Sequence, residues 1–166
     1  KQKPYGFRTN FIDFDEKGDV KIYTKKVPSG FSFIKKEKVT KNIKSINQWK
    51  VVTSRSTSVP EEDNGQVLRI SKTFIAEPKS VVTESYVVVG SFENEYEAKN
   101  CLDYLKTRFF RLLCLITIVS PDVSQRTFDL VPIQNFDEPW SDEKLYKKYK
   151  LTDEEINYLE SNIRAV

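Results

Sequence analysis

The residues that most often perform catalysis are scarce in this chain. Its 166 residues include no His and only two Cys. Without His there is no Ser-His or Cys-His nucleophile pair, no imidazole proton shuttle and no His-ligated zinc. Two Cys cannot complete a four-coordinate, Cys-only zinc site. The composition therefore excludes several large classes of enzyme.

One pattern matches a metal-dependent nuclease. A Pro-Asp pair at Pro121–Asp122 precedes an acidic-x-Lys triplet at Asp142–Lys144. The chemistry needs two carboxylates that converge on a divalent cation from adjacent strands. Asp142, however, lies at a predicted helix start, where a carboxylate compensates the helix dipole. The triplet Glu77–Lys79 contains a proline, which would remove a ladder donor from a strand. We therefore predict no metal site, and a nuclease that depends on Asp122 stays open as an alternative.

Methyl transfer and nucleotide binding lack their usual signatures. An adenine-amino methyltransferase needs an Asp/Asn-Pro-Pro-aromatic turn, and none of the seven prolines is adjacent to another. The five glycines form neither a Gly-x-Gly-x-x-Gly fingerprint nor a Walker loop. We predict that this chain is not an enzyme by itself and binds no cofactor.

The net charge of +3 conceals two halves of opposite charge. Residues 1–83 carry 17 Lys and Arg against 9 Asp and Glu, or +8, whereas residues 84–166 carry 10 against 15, or −5. The excess is densest in Lys17–Lys50, where ten Lys accompany two acidic residues. Such asymmetry favours a basic face that binds a polyanion, although a solvated Lys-rich surface would have the same composition.

The first 90 residues have the alternation and turn residues typical of short β-strands. Tyr86–Val89 is continuously apolar and β-branched, which predicts a central strand buried on both faces. Ser54–Gln66 is polar and contains Pro60 and Asn64-Gly65, so we predict a long loop there. The other predicted strands are Val20–Tyr23, Phe31–Phe33, Trp49–Thr53, Val67–Ser71, Thr73–Ala76 and, later in the chain, Arg126–Val131.

The apolar period then changes to three and four residues. This predicts one long amphipathic helix over residues 94–119, followed by two shorter helices within 141–165 that begin at Ser141 and Thr152. Strands first and helices later indicate an α+β fold. We expect one domain over residues 1–166, with a curved, mostly antiparallel sheet against which the helices pack. Its β-rich basic part is residues 1–90 plus 126–131, and its helical acidic part is residues 94–119 and 141–165.

Neither a membrane span nor a disulfide is predicted. The longest apolar run, Leu112–Val119, is far shorter than the roughly 20 residues of a spanning helix. Cys101 and Cys114 lie in the same predicted helix, about 20 Å apart at about 1.5 Å per residue, which is too far for a disulfide. We predict two reduced, buried thiols in a cytoplasmic protein.

A series of short motifs, in a fixed order, is more specific than any of its members. The stretches are Pro4–Phe11, Trp49–Arg55, Glu84–Phe92, Glu97–Asn100, Tyr104–Arg111, Val131–Phe136, Pro139–Tyr149, Leu151–Ile156 and Ile163–Arg164. The series resembles the C-terminal part of bacterial restriction–modification proteins, in which a DNA adenine methyltransferase carries a target recognition domain. It departs from that family at Ser56–Asn64, where the family usually has a Gly-rich loop.

The resemblance implies that this chain recognises double-stranded DNA in sequence-specific fashion. The chain opens with Lys1 and contains no Met, which we interpret as a fragment of a longer protein. The catalytic domain would precede it and would be its partner in the same polypeptide. The parent protein would use S-adenosylmethionine, with Mg²⁺ if it also cleaves DNA.

Lys and Arg side chains at phosphates supply affinity, and side chains at base edges supply specificity. We predict phosphate contacts from the lysines that follow the second strand, namely Lys35, Lys36, Lys38, Lys41 and Lys44. Arginine suits a bidentate guanine contact, and the loop offers short polar side chains. The predicted base-contacting residues are Arg8, Ser54, Arg55, Ser56, Thr57, Asn64 and Arg126.

A second hypothesis needs no direct base contact. The acidic helical part could dock the catalytic domain of the same polypeptide, which would make the chain a protein-interaction module.

Overall fold

The chain folds as an α+β structure of eight strands and four α-helices among the residues described. The structure is a computed structural model that describes residues 3–56, 61–63, 66–68, 70, 72–118 and 122–164. The strands are β1 (Val20–Tyr23), β2 (Phe31–Ile34), β3 (Trp49–Ser54), β4 (Glu61–Asp63), β5 (Gln66–Leu68), β6 (Thr73–Ala76), β7 (Ser80–Val82) and β8 (Tyr86–Phe92), and the helices are α1 (Glu95–Lys106), α2 (Arg108–Thr117), α3 (Asp142–Tyr149) and α4 (Asp153–Asn162).

The predicted α+β fold with mostly antiparallel strands is confirmed, but the strands divide into two three-stranded sheets and one hairpin where we expected one curved sheet. The first sheet has the order β2-β1-β7, with β1 antiparallel to β2 and parallel to β7. The second has the order β6-β3-β8 and is antiparallel throughout, while β4 and β5 form the hairpin. The chain passes from the second sheet to the first through Glu77–Lys79, where Lys79 adopts a left-handed conformation (φ 58°). This turn explains why one run of strand-forming residues contributes to two sheets.

Strand β3 lies between two hydrophobic cores. Val52 belongs to a core that contains residues of both sheets, such as Ile22 of the first and Ala76 of the second. Val51 belongs to the other core, which the helices cover. Both valines are fully buried, and the register of β3 against β8 shifts between them. Such an irregularity changes the direction of successive side chains, while the hydrogen-bond ladder between the strands continues before and after it.

The centre of the second sheet is β3, and the predicted central strand is at its edge. The apolar stretch that begins at Tyr86 forms β8, which pairs with β3 on one side and, within the described parts of the chain, with no strand on the other. Its valines are half-buried, because the face of β8 packs on helices and loops. A continuous β-branched run therefore marks an edge strand whose two faces are partly covered.

The predicted long helix is two helices that meet at Thr107. Thr107 has an extended conformation (φ −63°, ψ 147°), and its side chain accepts a hydrogen bond from the amide of Phe110. The carboxylate of Asp142 accepts hydrogen bonds from the amides of Arg108 and Phe109, each 3.0 Å long. The first three amides of α2 thus have side-chain acceptors, which satisfies donors that a helix start leaves unpaired.

The two cysteines consequently lie on different helices, Cys101 on α1 and Cys114 on α2. Both are buried and free, so the predicted thiols are confirmed although the single helix that supported the argument is wrong. Burial raises the pKa of each thiol to about 12, which keeps both protonated at neutral pH. In the portion of the chain that the structure describes, no helix is long and apolar enough to cross a membrane.

The predicted strand at Arg126–Val131 is also wrong. Gln125–Phe128 forms a short 3-10 helix, in which the Thr127 hydroxyl accepts a hydrogen bond from the Ser124 amide. Local hydroxyl–backbone bonds of this kind compete with a strand ladder. The two C-terminal helices are confirmed, with Ser141 and Thr152 as their N-caps.

Lys50 is a fully buried lysine at the start of β3. Its ammonium donates to the carbonyls of Gln48 (2.6 Å), Ser45 (3.1 Å) and Ile46 (3.2 Å), around the end of a 3-10 helix over Ile43–Asn47. A fourth carbonyl, that of Glu77, lies 3.4 Å from the ammonium. Burial lowers the pKa of Lys50 to about 8, against an opposing attraction from the Glu77 carboxylate.

This pKa predicts that the fold becomes more stable as the pH rises above about 8. The ordinary pKa of the lysine is 10.5, so between pH 8 and 10.5 the unfolded chain binds one proton more than the folded chain. The free energy of unfolding should therefore rise by about 2 kcal/mol up to about pH 9.5. Urea titrations at several pH values should show this rise. Lys50→Met should abolish it and Lys36→Met, at an exposed site, should retain it; parallel profiles for all three proteins would contradict the assignment.

Because Asp142 caps α2 as well as beginning α3, we expect its removal to lower the free energy of unfolding more than the loss of an ordinary first-turn carboxylate would. Asp142→Ala removes a charged acceptor from two amides and should lower the free energy of unfolding by about 2 kcal/mol. Asp153 occupies the same first position in α4 and is the matched control, since its loss should cost less than about 1 kcal/mol through the helix dipole alone. Urea denaturation followed by circular dichroism measures both. If Asp142→Ala and Asp153→Ala lowered the free energy of unfolding equally, Asp142 would be stabilising only α3, the helix in which it lies.

Candidate nucleic-acid interface

Three predicted base-contacting residues, Ser54, Arg55 and Ser56, lie where β3 ends, and we call this segment the β3 exit. Backbone hydrogen bonds hold it on two sides: the Ser54 amide donates to the carbonyl of Lys72 (3.1 Å), and the Arg55 amide donates to that of Ser85 (2.9 Å). The carbonyl of Arg55 also accepts a hydrogen bond from the amide of Val123. The β3 exit is therefore fixed by segments from three other parts of the chain.

Two backbone contacts place the chain segments of Arg8 and Arg126 next to the β3 exit. The carbonyl of Phe7 accepts a hydrogen bond from the Glu84 amide (3.0 Å), next to Ser85 at the β3 exit. Arg126 follows Val123 by three residues, in the short 3-10 helix. Both arginines are exposed. The five predicted base-contacting residues that the structure describes thus belong to chain segments whose backbones meet at or next to the β3 exit, whereas Thr57 and Asn64 lie outside the described residues.

Arg55 already has a partner within the fold. Its guanidinium lies 3.0 Å from the carboxylate of Glu84, and the two side chains are 26% and 18% exposed. A guanidinium has five N–H donors, so one such pair leaves further donors for a ligand. The pair fixes the direction of Arg55 and offsets part of its charge.

Lys25 is a cation at the β3 exit that the sequence did not single out. Its ammonium donates to the hydroxyl of Ser54 (2.6 Å) and to that of Ser56 (3.3 Å), and it lies 5.8 Å from the ring centre of Tyr86. Burial and then repulsion from Lys72 lower the pKa of Lys25. Lys25 is one of ten lysines in Lys17–Lys50, and composition alone does not distinguish it from the others.

The predicted phosphate-contacting lysines lie elsewhere. Val20 of β1 pairs with Ile34, immediately before Lys35, whereas Lys25 follows the opposite end of β1. About five residues of extended chain separate the two ends, or roughly 17 Å. The structure therefore does not bring this group to the β3 exit.

These lysines also differ in how far their charge is offset. Lys38 lies 2.8 Å from the carboxylate of Asp13, and Lys35 lies 3.6 Å from that of Asp15. Three others, Lys36, Lys41 and Lys44, are exposed.

A row of aromatic side chains leads from the first sheet to the β3 exit. Its successive ring centres are 6.0, 6.5, 5.0 and 5.5 Å apart. The Lys21 ammonium lies 4.2 Å from the centre of one of these rings and 2.7 Å from the Glu77 carboxylate. The row forms an apolar surface that ends beside the β3 exit, where Tyr86 of β8 pairs with Ser54. Its members are Phe33, Phe31, Tyr23, Phe74 and Tyr86.

Two grooves run along the free edge of β8. One, of about 630 Å³, is bordered by Tyr5 and Ile43, and the other, of about 660 Å³, by Tyr104 and Ile133. Ile43 is 53% exposed and Ile133 is 94% exposed. The edge of β8 thus has apolar side chains on either side.

The two carboxylates of the nuclease pattern, Asp122 and Asp142, lie in separate structural contexts. Asp142 caps α2, and Asp122 pairs with Ser56 in a single antiparallel bridge. Glu77–Lys79 is the turn between the two sheets. Throughout the described ranges, no three Asp, Glu or Cys side chains gather as metal ligands would.

Comparisons with family models, with curated proteins and with solved structures found no match for this chain.

The Arg55–Glu84 pair predicts a measurable coupling in stability. A double-mutant cycle of Arg55→Ala and Glu84→Ala should give a coupling energy of about 1 kcal/mol, because the pair is half-buried and well aligned. Chemical denaturation of the four proteins measures it. A coupling energy near zero would show that the pair contributes nothing to the fold.

Proposed function

We propose that this chain is the target recognition domain of a cytoplasmic restriction–modification protein. It binds double-stranded DNA in sequence-specific fashion, and an adenine methyltransferase or endonuclease domain precedes it in the longer polypeptide. The observation that carries the proposal is the convergence of Arg8, Arg126 and the β3 exit. Three arginines from distant parts of the sequence supply guanidinium donors in one region, two of them exposed and Arg55 partly buried, and such donors suit base readout in a major groove.

The distribution of charge supports the same function. The half of the chain that contains β1 to β7 carries the basic excess, and a duplex attracts such a surface over long distances. In this proposal the lysines set the register on the phosphates, while Arg55 of the β3 exit and the two exposed arginines contact base edges.

The domain would select the site, and the preceding domain would perform the chemistry. An adenine within a duplex must leave the base stack before a methyl group can reach it. A separate domain that holds the duplex makes this possible without contributing a catalytic group. S-adenosylmethionine, and Mg²⁺ if the protein also cleaves DNA, would belong to that preceding domain.

A second candidate function is a module that docks the catalytic domain without contacting bases. The unpaired edge of β8 favours it, because exposed Ile43 and Ile133 border the two grooves beside that edge. An exposed strand edge can accept a strand from another protein segment.

DNA binding can be tested directly with the chain as it is. Selection from a random pool of duplexes should enrich one sequence, and its affinity should fall steeply as salt increases. Arg126→Ala should lose about 1 to 3 kcal/mol of discrimination at one base pair. Lys147→Ala, an exposed change on α3, should leave the enriched sequence unaltered. No duplex binding at low salt, together with tight binding to the catalytic domain, would favour the docking module.

A further inference from the structure

Lys25 differs from other lysines of the basic half in its partners. Lys21, Lys35 and Lys38 each have a carboxylate within 4 Å, which offsets part of their charge. Lys25 has two serine hydroxyls instead, and no carboxylate among the described residues forms an ion pair with it. Its ammonium is held in place by uncharged groups while its charge remains available.

Lys72 adds a second positive charge at the same place. Its carbonyl accepts the Ser54 amide, so its backbone lies beside the β3 exit, and its side chain is exposed. Lys72 and Lys25 are close enough to repel each other, and this repulsion contributes to the lowered pKa of Lys25. An anion placed between two such ammonium groups would remove the repulsion.

The hydroxyls complete a set of donors for an anion with several oxygens. Among the described residues, Lys25 uses two of its three N–H donors on Ser54 and Ser56, which leaves one N–H. Each hydroxyl accepts from Lys25, and neither donates its own hydrogen to another described residue. Ser54 is 6% exposed and holds the ammonium from within, whereas Ser56 is exposed. A phosphate oxygen at this point could accept from Lys25, Lys72 and Ser56 together.

We propose that Lys25, Lys72 and Ser56 form a phosphate-binding site at the β3 exit, which takes a backbone phosphodiester of a nucleic acid. The site rests on the proposed function and deepens it. It places a phosphate contact directly beside Arg55 and the other base-contacting candidates, where the lysines at 35–44 do not lie. A contact at this position fixes the register of the neighbouring bases as well as adding affinity.

The first experiment measures the affinity for a duplex by fluorescence anisotropy at several salt concentrations. Lys25→Gln should weaken binding about eightfold at about 0.1 M salt and reduce the slope of log K against log salt by about 0.9, because one phosphate contact is lost. Lys72→Gln should act in the same direction. Lys26→Gln is the matched control, since Lys26 is the exposed neighbour of Lys25 and lies outside the site. Equal losses for Lys25→Gln and Lys26→Gln would overturn the site and leave DNA binding intact.

The second experiment uses inorganic phosphate without DNA, so that it does not depend on the proposed function. The side-chain ammonium resonance of Lys25 in a ¹⁵N NMR titration should move more than that of Lys26, and Ser56→Ala should reduce the movement. Equal movement of both resonances would overturn the site. A selective movement of Lys25 in a chain that binds no duplex would support an anion site for free phosphate and would contradict the proposed function.

Discussion

The hydrogen bonds from the buried Lys50 amine nitrogen to four carbonyls are the constraint that joins the start of β3 to the crossing between the two sheets. Lys50 lies at the start of β3 and contacts both the end of the 3-10 helix before it and the Glu77 carbonyl. Glu77 begins the turn through which the chain crosses between sheets. A buried charge without acceptors would cost several kcal/mol. The carbonyls around Lys50 must therefore stay in place, and they fix the crossing relative to β3.

The position of the candidate interface follows from the same strand. Lys50 fixes the start of β3, the valines in its middle join both cores, and its last residues form the β3 exit. Because β3 is held along its length, the side chains beyond it are presented from a rigid support. Preorganised donors lose less entropy when they bind a ligand than donors on a mobile chain. The Arg55–Glu84 pair and the bonds from Lys25 to the serines extend this order to the side chains themselves.

Most local patterns were predicted from the sequence, the 3-10 helix at Gln125–Phe128 being an exception, whereas features that need distant residues were not predicted. The alternation at Val20–Tyr23 and the caps at Ser141 and Thr152 depend on neighbours in the chain, and these predictions are confirmed. The apolar period continues across Thr107, so nothing local announces the break; its cap depends on Asp142, 35 residues later. Lys25 likewise acquires its role from contacts with residues almost 30 positions away. The candidate residues at the β3 exit were predicted from the sequence, but Lys25, the cation that contacts Ser54 and Ser56, was not.

The antiparallel pairing of β3 with β6 has a consequence for how such a domain can change. Four residue pairs, from Lys50–Ala76 to Thr53–Thr73, set the register of the two strands independently of the chain that connects them. Lengthening such a connection costs little, because the entropy of closing a loop grows only with the logarithm of its length. Residues between Arg55 and Lys72 can thus be exchanged as long as Ile70, which is buried in the core that the helices cover, keeps its place. New binding preferences could evolve, or be engineered, by changing those residues around a retained Ile70.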